Sequence, residues 1–150
     1  MTTAALPPIL LIDDDPLVLE TLKDLCDSMD CRRQVHHLDT ASAFDAAADP
    51  DIGLIVCDYR FPYTSGVTFI EQVRRRGIET PVLFISGAPD SDAVMKASLL
   101  PRTAFLSKPF TIQRFRDAIN SLLEIAPQGL PGESISRKFV PGAFPKAFGG

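Results

Sequence analysis

The stretch LLIDDDP, Leu10 to Pro16, sets an apolar run directly against three carboxylates and a proline. The run reads as a buried strand. Adjacent like charges repel, and burying even one unpaired carboxylate is costly. Taken alone, the triplet is an acidic turn opening a helix. Asp15 then serves as N-cap, and Pro16 takes the first helical position, where its missing N–H costs nothing. The alternative is that something cationic sits there, and the rest of the chain decides between the two.

Three further apolar runs follow, Ile52 to Cys57, Val82 to Ile85 and Ala104 to Leu106, and RQVHHL from Arg33 to Leu38 is a weaker candidate strand. The strong runs are near-continuous rather than alternating, as expected of parallel strands buried on both faces. Between them lie segments with helical spacing. Val18, Thr21, Leu22, Leu25 and Met29 define the apolar face expected of the first helix. The second covers about Ala41 to Ala48 and stops at Asp49-Pro50. The third runs from Gly66 to Arg76, with Ser65 as N-cap and Gly77 as stop. Arg74, Arg75 and Arg76 read as a solvated helix end that complements the macrodipole. A fourth helix is expected near Asp90 to Leu99, and a fifth over Thr111 to Ile125. Strands alternating strictly with helices imply five βα units, hence a three-layer α/β sandwich around a parallel sheet.

At 150 residues the chain suits one domain with a substantial core. Its net charge of −4 argues against nucleic-acid binding by bulk electrostatics. Cys26, Cys31 and Cys57 form no CxxC pair, and with only His36 and His37 beside them a zinc site has poor support. The N-terminus carries no basic leader, and no apolar stretch approaches the ~20 residues of a membrane span. A reduced, cytoplasmic protein is the simplest reading. From residue 127 the character changes: 24 residues hold four prolines and five glycines without any period, and segment 126–150 reads as a mobile tail.

In an open parallel sheet, ligands bind beyond the carboxyl ends of the strands. The residues at those ends here are Asp13 and Asp14, then Asp58, Ser86 and Lys108. Three carboxylates, a hydroxyl and an ammonium would converge on one sheet edge. Clustered carboxylates demand a cation, and hard oxygen ligands favour Mg²⁺. A metal beside a carboxylate, a lysine and a hydroxyl suits phosphoryl transfer. Asp58, alone at the centre of the sheet, is the natural nucleophile, and the adjacent Asp13 and Asp14 are the natural metal holders.

With ILLIDDDP, DYRFPYTSG, FISGA and FLSKPF in order, the chain resembles the receiver domains of two-component response regulators over about residues 7–125. Pro62 and Gly66 lie four and eight residues beyond Asp58, and the step from Ser86 to Lys108 is 22 residues. The resemblance implies a flavodoxin-like fold with strand order 2-1-3-4-5. It implies that Asp58 accepts a phosphoryl group from the phosphohistidine of a sensor histidine kinase or phosphotransfer protein. Asp13, Asp14 and Asp58 would bind Mg²⁺ with the backbone carbonyl of Arg60. Lys108 would pair with the phosphoryl group and Ser86 would hydrogen-bond to it, while Phe105 would be the aromatic switch. A cis Lys108–Pro109 bond belongs to the same pattern. Arg60 and Ala88 occupy positions that tune phosphate lifetime. The protein would be no enzyme beyond its own phosphorylation and dephosphorylation. It would signal to a downstream protein, or self-associate as a homodimer, through residues 90–125, without contacting nucleic acid or membrane.

Two rivals differ in kind. DDDPL partly fits the motif of haloacid dehalogenase-like phosphatases, but those enzymes need a further strand-end acidic pair, and Asp117, Glu124 and Glu133 do not supply one. A phosphorylation-independent pseudo-receiver would usually lack one of the five site residues, and all five are present. Considered singly, Ser86 is an ordinary turn residue, Phe105 a core aromatic, Cys57 a small buried hydrophobe, and the two histidines structural. No helix-turn-helix follows residue 125 in this sequence, so the expectation is either a stand-alone regulator acting through protein contacts or a fragment of a longer chain.

Overall fold

Asp15 settles the phase of the first helix: its Oδ1 accepts a hydrogen bond from the Leu17 N–H at 2.9 Å, and Pro16 starts the first turn. The computed structural model describes residues 6–87 and 91–125, so Ala88 and the expected tail over 126–150 lie outside the described residues. Along the chain run β1 (Ile9–Ile12), α1 (Pro16–Ser28), β2 (Gln34–His37), α2 (Thr40–Ala47) and β3 (Leu54–Asp58). They are followed by α3 (Gly66–Arg75), β4 (Val82–Ser86), α4 (Ser91–Ser98), β5 (Thr103–Ser107) and α5 (Ile112–Ile125). Caps recur where the sequence offers them. Asp39 accepts from Ser42 N–H at 2.7 Å, Ser65 from Thr68 N–H at 3.1 Å, and Thr111 from Arg114 N–H at 3.0 Å. Gly77 ends α3 with φ of 85°, the left-handed region that glycine enters without strain.

The five strands form one parallel sheet in the order β2-β1-β3-β4-β5, the flavodoxin-like arrangement. β3 is central, so Leu54 to Cys57 are buried on both faces. The strands' alternation divides the apolar residues into two cores. Leu10, Ile12, Ile55, Cys57 and Phe84 face α2, α3 and α4. Ile9, Leu11, Val56, Leu83 and Ile85 face α1 and α5. A right-handed crossover between parallel neighbours requires helices on both sides once the strand order reverses, as it does at β1. Among the described residues no helix is long and apolar enough to cross a membrane.

Two expectations need correction. The buried face of α1 is Leu19, Leu22 and Cys26, whereas Thr21 is exposed and Val18, Leu25 and Met29 are only partly covered. Val18, Leu25 and Met29 flank that face and still pack against the core, and docking against the sheet, rather than apolar spacing alone, selects its centre. Arg74 is no solvated helix end. It is half-buried and donates to backbone carbonyls, as described below, while Arg76 stacks its guanidinium 4.5 Å from the centre of the Phe44 ring.

α5 holds to the sheet chiefly through Phe115, Ile119 and Leu122. The Phe115 ring is fully buried and stacks on Phe110 at 5.6 Å. Phe115→Ala is expected to cost about 3–5 kcal/mol of unfolding free energy, read from urea denaturation with an unchanged slope.

Candidate functional site

The carboxyl ends of β1, β3, β4 and β5 place five side chains on one edge of the sheet. Asp13 and Asp14 leave β1, Asp58 is the last residue of β3, Ser86 the last of β4, and Lys108 follows β5. Asp13 is buried, Asp58 half-buried and Asp14 exposed, and one carboxylate oxygen from each lies within 4.8 Å of the others. Lys108 reaches into the group: its Nζ is 3.7 Å from Asp13 Oδ2 and 3.8 Å from Asp58 Oδ1. Lys108 thus lies within ion-pair distance of two of these three carboxylates.

The local chain explains how this charge is held in place. Asp13 Oδ1 accepts from the Asp15 N–H at 2.9 Å, so the helix-opening turn fixes the Asp13 carboxylate. Asp13 Oδ2 is buried and has no hydrogen-bond partner among the described residues. A buried carboxylate oxygen with no donor is costly, and this one points into the acidic group. An all-oxygen set of this kind suits a small hard divalent cation such as Mg²⁺. Below Asp58, the loop returns so tightly that the Gly66 N–H donates to Tyr59 O at 2.6 Å. A Cβ on Gly66 would collide with the Asp58 carbonyl oxygen and lie 3.2 Å from Cys57 Sγ. Only glycine lets α3 start against the strand that carries Asp58.

Electrostatics follow from this crowding. Burial, followed by the Asp13 charge, pushes the Asp58 carboxyl up to about 6, against the opposing pull of Lys108. Burial likewise raises Asp13, partly offset by the Asp15 N–H and by Lys108. Cys57 is fully buried, and its thiol is pushed well up by the same desolvation, which keeps it protonated and apolar in character.

The remaining expected residues sit nearby. Ser86 is buried at the end of β4, and its carbonyl accepts from the Lys108 N–H at 2.8 Å, which ties the two strand ends together. Lys108–Pro109 is cis. Arg60 forms a bridge with Ser65 in the β3–α3 connection, and its exposed guanidinium lies 6.0 Å from the Tyr59 ring centre. Phe105 is buried between two rings, Tyr59 at 6.0 Å and Phe84 at 6.4 Å. Nothing in the sequence singles out Tyr59. It touches a residue two strands away, and no spacing along the chain encodes such a contact.

The chain matches the family described as response regulator receiver domain over residues 9–120. Response regulator protein TodT of Pseudomonas putida is 33% identical over 121 residues, covering 80% of this chain and 52% of TodT. The chain thus spans about half the length of the curated relatives it matches. Chemotaxis protein CheY4 of Vibrio cholerae superposes with a TM-score of 0.71 at 18% identity, covering 79% of this chain and 99% of CheY4. A structure of the CheX–CheY complex with BeF3 and Mg from Borrelia burgdorferi gives 0.71 at 18% identity, covering 77% and 88%.

The sign of the Asp58 shift yields a test. Between pH 3.8 and about 6 the folded protein binds more protons at Asp58 than the unfolded chain, so stability falls as pH rises through that window. A shift of this size corresponds to ~3 kcal/mol at most. In metal-free buffer, Asp58→Asn is therefore expected to lose less stability than the parent between pH 4 and pH 7. Parallel denaturation curves for the two proteins across this range would show the assignment to be wrong.

Proposed function

The chain belongs to the response regulator receiver domain family, and from that premise we propose that it is a phosphorylation-controlled switch whose phosphoacceptor is Asp58. The observation that carries this reading is the buried, donorless Asp13 Oδ2 beside Asp14, Asp58 and Lys108. A sensor histidine kinase, or a phosphotransfer protein acting between, presents a phosphohistidine. A carboxylate oxygen of Asp58 attacks the phosphorus, the P–N bond breaks as the P–O bond forms, and the imidazole nitrogen leaves and takes a proton from solvent. With its carboxyl at about 6, Asp58 is mostly ionised at neutral pH and able to attack.

The other side chains bind and orient. Asp13 and Asp14, with Asp58 and the backbone carbonyl of Arg60, would hold Mg²⁺, which when bound would neutralise charge on the phosphoryl oxygens. Lys108 holds the phosphoryl group from the β5 side by charge, and the Ser86 hydroxyl donates to it from β4. Phosphorylation draws on Ser86 and Phe105 to alter the face made by α4, β5 and α5, where a downstream protein or a second copy binds. The protein works in the cytoplasm and catalyses no reaction except its own phosphorylation and dephosphorylation.

Intact-mass analysis after incubation with acetyl phosphate and Mg²⁺ is expected to show one added phosphate in the parent and none in Asp58→Asn. Labelling of that variant would refute the assignment. Substituting Asp14→Ala is expected to raise the Mg²⁺ concentration needed for labelling.

Arg60 bears on how long the phosphate lasts. Its exposed guanidinium lies 6.0 Å from the Tyr59 ring centre, two residues past Asp58, where it would flank the path by which water reaches the phosphoryl group. A planar fork there holds phosphate oxygens and obstructs in-line attack. Arg60→Ala is expected to lose its phosphate about tenfold faster, equivalent to ~1.4 kcal/mol of barrier, at fixed Mg²⁺. An equal or longer lifetime would exclude shielding by Arg60.

A further inference from the structure

We infer that Arg74 fastens the turn between α4 and β5 to α3, which makes the C-terminal end of α4 the pivot for that helix's movement when Asp58 is phosphorylated. The inference rests on the switch reading given above. Arg74 projects from the last turn of α3. Its Nη1 donates to Ile78 O at 3.1 Å, in the connection to β4, and its Nη2 donates to Pro101 O at 2.9 Å, in the connection to β5. One planar guanidinium thus spans the entry to two adjacent strands, at the opposite end of the sheet from Asp58. A lysine could reach only one of these carbonyls with comparable geometry.

This placement is not the least costly one for an arginine. Nε is buried without a hydrogen-bond partner among the described residues, and burial together with the neighbouring Arg102 lowers the guanidinium to about 10. The nearby Glu79 carboxylate offsets this only in part. The turn it holds is itself tightly drawn: Arg102 has φ of 58°, and Thr103 Oγ1 lies 2.9 Å from Ala97 O and 3.1 Å from Leu100 O, sharing its proton between them. Thr103 belongs to β5, so the Ala97 carbonyl of α4 and the Leu100 carbonyl just beyond it are tied to the sheet from one side, and the turn to α3 from the other.

The body of α4 is held far less firmly. Among its described side chains only Ala97, near the C-terminal end, is buried, while Met95 is 60% exposed. α3, by contrast, is a rigid anchor. Val67, Phe69, Ile70 and Val73 are buried, and its first residue, Gly66, packs against the end of β3. A lightly packed helix fastened at one end to a fixed support moves by swinging its other end.

Amide hydrogen exchange on the whole chain, with and without Mg²⁺ and beryllofluoride, tests this. In the parent, beryllofluoride should change exchange over residues 91–96 and leave residues 99–103 unaltered. Arg74→Ala should raise exchange at residues 99–103 at least tenfold without beryllofluoride, leave β1 and β3 unaffected, and let the beryllofluoride response spread through residues 97–103. Arg74→Lys, which keeps the charge, should behave in between. Thr103→Val should loosen the same turn independently and so covers the case in which Arg74→Ala does not fold. A parent whose response is as large at 99–103 as at 91–96 overturns the pivot. Unchanged exchange at 99–103 in Arg74→Ala, Arg74→Lys and Thr103→Val overturns the fastening. Absence of any beryllofluoride response in the parent rejects the phosphoacceptor reading and with it the pivot, while exchange without beryllofluoride still decides whether Arg74 holds the turn.

Discussion

At the carboxyl edge of the sheet three carboxylates crowd together, and Lys108 forms the described ion pairs with two of them. Asp13, Asp14 and Asp58 are drawn within 4.8 Å of one another, and Lys108 stands at 3.7 and 3.8 Å from two of them. At such separations each additional carboxylate is worth several kcal/mol of repulsion unless solvent or a counter-ion screens it. Water screens Asp14, which is exposed, but not the buried Asp13. The crowding is therefore built into the fold, and whatever brings positive charge or removes negative charge there changes the energy of four strand ends at once.

Holding that crowding in place takes backbone precision more than side-chain bonding. Asp13 is oriented by the N–H of Asp15, which in turn caps α1, so one local turn both starts a helix and aims a carboxylate. Asp58 is oriented from below by the closeness of Gly66, where no side chain fits. Ser86 and Lys108 are joined through backbone, the Lys108 N–H to the Ser86 carbonyl. Each of these devices is short in sequence. That is why a site assembled from four separate stretches of chain stays aligned, since only the sheet register has to bring the stretches together.

The same distinction explains which features the sequence discloses. Asp13, Asp58, Ser86 and Lys108 can be read as neighbours because a strand-end position in a parallel sheet has a location independent of side-chain detail. The Asp15 cap and the Ser65 cap are equally local, and both appear where composition places them. The buried face of α1 is less accessible to reading. Leu25 and Leu22 are equally apolar, and only docking against the sheet selects Leu19, Leu22 and Cys26. Arg74 illustrates the larger difficulty. In RRR the three side chains are chemically identical, yet one bridges two turns, one covers a phenylalanine and one is exposed. Their fates depend on partners at Ile78, Pro101 and Phe44, of which only the first is close in sequence. Tyr59 against Phe105 is invisible for the same reason.

A charge cluster that weakens the fold can persist only where the remaining structure has stability to spare, and here the two cores on either side of the sheet supply it. β1, β3 and β4 are buried along nearly their whole length, and the large side chains Phe69, Phe84 and Phe115 are fully enclosed. The rigid part of the molecule is therefore the part that presents Asp58, and the lightly packed part is α4. Energy released by neutralising the acidic edge cannot relax a close-packed core by small continuous shifts, because such packing yields little. In the switch proposed above it is directed instead to α4, whose described side chains are mostly exposed. A stiff charged site beside a loosely held helix is thus the minimal arrangement by which a change confined to one carboxylate can alter a surface elsewhere on the domain.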